Sequence, residues 1–156
     1  MVVKVFFVGN TFGGDDGIGP KLYSELEKDE RLTGFELLEA GVLGFDIISY
    51  IEDNDTVIIV DSMKEKGKIG TVKVIRAENL KSSMNIGSIH DFGVEETAQL
   101  IKAYKPNIKG VFLIGINVKD TKPFYNKLSD EILLKFENIK DNVVNNIIKL
   151  GASSGN

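Results

Sequence analysis

Four apolar residues, Val5-Phe6-Phe7-Val8, run directly into Gly9-Asn10 and an acidic, glycine-rich loop that ends at Pro20. The run is too short for a helix and reads as a buried strand, with strand one spanning Val3 to Val8. Beyond the loop the spacing changes. Ile18, Leu22 and Leu26 recur every fourth residue, on one face of a helix expected from Pro20 to about Asp29. Pro20 suits a first turn, where its missing N–H costs nothing. If the sheet is mostly parallel, this order places Asn10, Asp15 and Asp16 at its carboxyl edge, where open α/β folds keep their sites.

The rest of the chain repeats the alternation. Phe35 to Ala40 is a second strand, and Leu43, Ile47, Ile48 and Ile51 lie on one face of a helical segment after it. Asp53-Asn54-Asp55 is a turn, and Val57 to Val60 is the most β-branched run, as expected of a central strand covered on both faces and ending at Asp61. Thr71 to Ile75 alternates apolar and polar residues. It follows strand three too closely for a crossover helix, so it is expected to pair antiparallel or lie at a sheet edge. Ala77 to Ile89 reads as a long polar loop with His90 at its end, followed by a helix carrying Val94, Ala98 and Ile101. Lys109 to Ile116 is the last strand, Asn117 to Lys127 a loop, and Ser129 the expected cap of a final helix striped by Ile132, Phe136, Ile139, Val143 and Ile147. Residues 1–150 are expected to form a single α/β domain, with 151–156 a frayed tail.

Composition narrows the chemistry. With 156 residues, 42% of them apolar, the chain can build one core. The net charge of −4 argues against a bulk nucleic-acid binder. Without any cysteine there is no disulfide scaffold, zinc-thiolate site or cysteine nucleophile, so a metal must bind through oxygen and imidazole nitrogen. No apolar stretch approaches membrane-spanning length, and the opening apolar run is too short for a signal peptide. The expected address is the cytoplasm.

Three candidate ligands stand near strand ends or helix starts: Asp16, Asp61 and His90. Two carboxylates and an imidazole make a hard-to-borderline set that leaves positions open on nickel, zinc, manganese or iron. Each has a plainer reading. Asp16 could cap a helix, Asp61 could belong to a turn, and the lone His90 could be an ordinary loop histidine. Ser62 has no second histidine to activate it as a nucleophile. The first loop lacks GxGxxG at the strand end and a P-loop lysine, and its aspartates would repel phosphate.

These stretches resemble the hydrogenase maturation endopeptidases. GN-x-x-x-x-DDG-x-G from Gly9 to Gly19 is similar to their opening motif. EAGVLGFDII, VIIVDS with GKIGTV, SIH at Ser88 to His90, and FLIGI follow in the family's order, so the likeness covers about Val3 to Asn146. The chain departs from the family pattern at Val42 and at Asn117-Val118-Lys119. The resemblance implies an α/β, three-layer architecture: a twisted, mostly parallel five-stranded sheet sandwiched between helices, with one antiparallel or edge strand. It implies a metal-dependent endopeptidase that trims the C-terminal extension of a NiFe-hydrogenase large-subunit precursor. The nickel is carried by the precursor and held by Asp16, Asp61 and His90, with Asp16 and Asp61 as catalytic acids. A monomer is expected, with no nucleic-acid or membrane partner. Two other readings stay open: a non-proteolytic binder or chaperone of the precursor, and a small-molecule metallohydrolase or nucleotide-binding α/β domain.

Overall fold

The computed structural model describes residues 2–41, 45–77, 94–122 and 124–154. Five strands are present: β1 Val3–Val8, β2 Glu36–Gly41, β3 Thr56–Met63, β4 Val72–Arg76 and β5 Gly110–Asn117. They form one sheet in the order β2-β1-β3-β5-β4. All neighbours are parallel except β4, which pairs antiparallel with β5 and forms an edge. The helices are α1 Ile18–Leu26, α2 Val94–Tyr104 and α3 Asp130–Ser154, with 3₁₀ segments at Gly14–Gly17, Glu30–Leu32 and Phe45–Tyr50.

Strand alternation divides the core into two layers. Val5, Phe7, Ile58, Val60, Ile114 and Ile116 face α1 and α3, meeting Ile18, Leu22, Ile132, Ile139 and Val143. Phe6, Val8, Val57, Ile59, Val111 and Leu113 face the other way, against Ile47, Ile51, Ala98 and Ile101. Each large apolar side chain so buried contributes about 1.5–3 kcal/mol. The α3 stripe read from sequence is this packing face. The amino edge of the sheet is tied by an ion pair between Lys4 Nζ and Asp55 Oδ2 at 2.9 Å, both side chains nearly inaccessible. The same ammonium donates to the Tyr50 carbonyl.

Three boundaries differ from the sequence reading. First, α1 stops at Leu26, and Asp29 instead caps the separate 3₁₀ turn that follows. Second, β3 does not stop at Asp61 but runs on to Met63, all of it buried. Pairing with β1 ends at Phe7–Val60, while pairing with β5 continues through Met63–Asn117. The longer partner therefore carries the strand past the point where β1 leaves. Third, α3 runs from Asp130 to Ser154, so the helix extends into the 151–156 segment. A side chain at Gly151 would come within 2.6 Å of the Phe35 ring, so the glycine lets the helix lie close to the start of β2.

The chain order turns round between β1 and β3: β2 lies on one side of β1, and β3, β5 and β4 lie on the other. In doubly wound sheets the crevice at such a reversal, outside the carboxyl ends of the strands, is where ligands bind.

Candidate active site

At that reversal β1 gives way to the first loop at Gly9, whose Cβ, if it had one, would sit 2.1 Å from the Asp16 carbonyl oxygen. Gly19 is equally constrained, since a Cβ there would lie 2.0 Å from the Val8 carbonyl oxygen. Two glycines thus let the loop fold back on β1 and seat α1 against its end. The fold-back brings Asp16, only 2% exposed, to the end of β3.

Asp16 accepts a hydrogen bond on each oxygen. The Asn10 N–H donates to Oδ2 at 3.0 Å, and the Ser62 hydroxyl donates to Oδ1 at 2.7 Å. Asp61 is fully buried, and its Oδ1 accepts the Ser62 N–H at 2.8 Å. Ser62 therefore donates its backbone proton to one acid and its side-chain proton to the other. Alternation along β3 puts Ser62 with Ile58 and Val60 on the α1 side and Asp61 with Val57 and Ile59 on the α2 side. The structure so brings two of the three residues singled out from sequence to the same strand end. His90 lies outside the described residues, four positions before α2 begins at Val94. Among the described residues no cluster of three acids, histidines or cysteines suited to a metal ion is found.

Asp15 has a different task. Its carboxylate accepts from the Ser129 N–H at 2.6 Å, the Ser129 hydroxyl at 2.9 Å, and the N–H groups of Lys119 and Asp120 at 3.1 Å each. It fastens the first loop to the loop after β5 and to the start of α3. Ser129 does reach the N–H of Ile132 as a helix cap, at 3.4 Å, but its shorter bonds go to Asp15. The sequence reading did not find this role for either residue. Asn117 is also structural. Buried at the end of β5, it accepts from the Glu65 N–H and donates to the Lys68 carbonyl, holding the turn before β4.

The two loops at this edge are joined by backbone bonds. The Tyr125 N–H donates to the Phe12 carbonyl at 2.9 Å, and the Gly14 N–H donates to the Tyr125 carbonyl at 2.7 Å. This pairing displays aromatic side chains to solvent: Phe12 is 60% exposed and Phe124 96%, the latter with a φ of 61° that a bulky residue rarely adopts. A cleft of about 350 Å³ opens alongside, lined in part by Thr11, Gly14, Lys21, Glu39, Lys127 and Leu128.

A family model described as hydrogenase maturation protease matches residues 20–146. The chain belongs to this family. The matched span takes in Asp61 and His90 and begins after Asp16. As a hydrogenase maturation protease the chain is an endopeptidase, and the resemblance read from its motifs holds. The hydrogenase expression/formation protein HoxM of Azotobacter vinelandii is 21% identical over 138 residues, which cover 86% of this chain and 67% of HoxM. The fold is similar to that of the hydrogenase maturating endopeptidase HybD from E. coli, with a TM-score of 0.74 and 21% identity over 97% of this chain and 94% of that one. It is also similar to a [NiFe] hydrogenase maturation protease HybD from Thermococcus kodakarensis, with a TM-score of 0.72 and 25% identity over 92% and 97% of the two chains. Among the described residues no helix is long and apolar enough to cross a membrane.

Proposed function

We propose that this hydrogenase maturation protease removes the C-terminal extension of a NiFe-hydrogenase large-subunit precursor that already carries nickel. The observation that supports the reading is the meeting of Asp16 with the Asp61–Ser62 step at the switch point of the sheet. Two buried carboxylates joined through one serine repel each other, and a cation between them offsets that repulsion. The nickel is cargo of the substrate, and it supplies the docking charge. Asp16 and Asp61 hold it from below, and His90 completes the grip from the segment leading into α2. With the precursor seated, one of the two carboxylates takes the proton of the attacking water as general base. The enzyme acts as a monomer in the cytoplasm.

The test is to incubate the protein with nickel-loaded and nickel-free precursor and weigh the products. Only the nickel-loaded precursor is expected to lose mass, and Asp16→Ala and Asp61→Ala are expected to abolish the loss at any substrate concentration. Tight binding with no change in mass would make the protein a chaperone of the precursor. A normal rate for Asp61→Ala would remove that acid from the mechanism.

A further inference from the structure

Between the two acids stands a residue with no assigned part in the reaction. We propose that Ser62 is a positioning residue that sets the aim of the Asp16 carboxylate toward the partner's cargo. The inference rests on the functional reading above. Ser62 is completely buried, and its one hydroxyl proton is given to Asp16 Oδ1 at 2.7 Å. It acts through Asp16.

The geometry explains why a hydroxyl is needed there. Asp16 sits in a 3₁₀ turn of a glycine-rich loop, an element with little rigidity of its own. Its carboxylate is pinned on Oδ2 by Asn10 of the same loop and on Oδ1 by Ser62, which belongs to the most buried strand of the sheet. A donor on each oxygen fixes the carboxylate plane. The Ser62 bond also crosses from loop to strand, and the same residue's N–H holds Asp61. Any movement of the first loop relative to β3 must therefore stretch it. Beyond Val60 β1 no longer pairs with β3, and there the first loop brings Asp16 to the Ser62 hydroxyl.

Partners that orient a ligating side chain typically matter by 10–100-fold in affinity or activity. Ser62→Ala is expected to raise KM for nickel-loaded precursor by about tenfold while kcat stays within about twofold. Its far-UV circular dichroism should match wild type, and Ser62→Thr, which keeps the hydroxyl, should recover most of the loss. In the crystal structure of Ser62→Ala the Asp16 carboxylate should be rotated from its wild-type orientation. Unchanged KM and kcat in Ser62→Ala would overturn the proposal, as would a loss confined to kcat that Ser62→Thr fails to recover. If the wild-type protein leaves nickel-loaded precursor intact, the functional reading falls. The crystallographic arm then decides alone: a turned Asp16 carboxylate supports positioning, and an unmoved one overturns it.

Discussion

Asp15 and Asp16 are adjacent and chemically identical, yet the fold gives them opposite work. Asp16 points at the end of β3, while Asp15 is consumed by four donors from the loop after β5 and the start of α3. A carboxylate can accept all four, whereas an amide turns an N–H₂ toward at least one backbone N–H that cannot accept it. Hydrogen bonds to a charged acceptor are worth about 1.5–3 kcal/mol each, so Asp15→Asn should destabilise the protein by about 3 kcal/mol. A fall in the urea midpoint at unchanged m-value would register that cost. From sequence the loop carrying both acids could be placed by local order alone, a strand, a glycine loop and a helix, and the family resemblance then set Asp16 apart from Asp15. The partners of Asp15 lie more than a hundred residues along the chain, at separations of 104 to 114, and no local pattern announces them. Nor could sequence show that Ser62 lies between the acids, since that depends on how far β3 outruns β1.

The short 3₁₀ turn Glu30–Leu32 lies beside α3, with Leu32 in the same core cluster as the α3 stripe and a surface charge network next to it. Asp29 caps it and accepts from Arg31, while the other side of the same guanidinium reaches Asp141 on α3 at 3.1 Å. Hydrogen bonds from Arg31, first from its side chain, lower the Asp29 pKa from 3.8 to about 2. A depressed carboxyl binds its proton later in the folded state than in the unfolded one. Its contribution to stability is therefore complete above about pH 4 and is lost as the pH falls toward 2. Asp29→Asn should flatten that part of the acid profile and leave stability near neutrality lower. Denaturant midpoints at pH 5 and pH 2.5 for both proteins test this, and equal slopes would refute it. The Arg31–Asp141 arm is exposed and adds little. At this scale most elements were legible, because apolar period is a local signal: β1 and the faces of α1 and α3 follow it. Ends were less so. That of β3 is set by β5, a partner that a window of sequence does not contain.

The two ends of the sheet differ in kind, and the difference predicts where a large partner lands. The amino edge is closed by the buried Lys4–Asp55 pair and by backbone bonds from Thr56 to Val2 and Lys109 to Asp55. The buried charges there are paired with each other. Removing one member leaves the other buried and uncompensated, at a cost of about 3–5 kcal/mol. The carboxyl edge carries the acids, the cleft and the exposed Phe12 and Phe124, held out by paired loops. Exposed aromatic groups contribute little to folding and much to association, where a single anchor is commonly worth about 2 kcal/mol or more. The double variant Phe12→Ala with Phe124→Ala should therefore unfold with wild-type stability yet need at least about thirtyfold more nickel-loaded precursor for half-maximal cleavage, the cost of losing even one such anchor. Lys4→Ala should do the reverse, losing stability while its folded fraction cleaves with the wild-type KM. Measuring unfolding and precursor titration on both proteins separates the two edges. If the aromatic variant titrates like wild type, the precursor does not approach over these loops, and the recognition surface must be sought elsewhere on the rim.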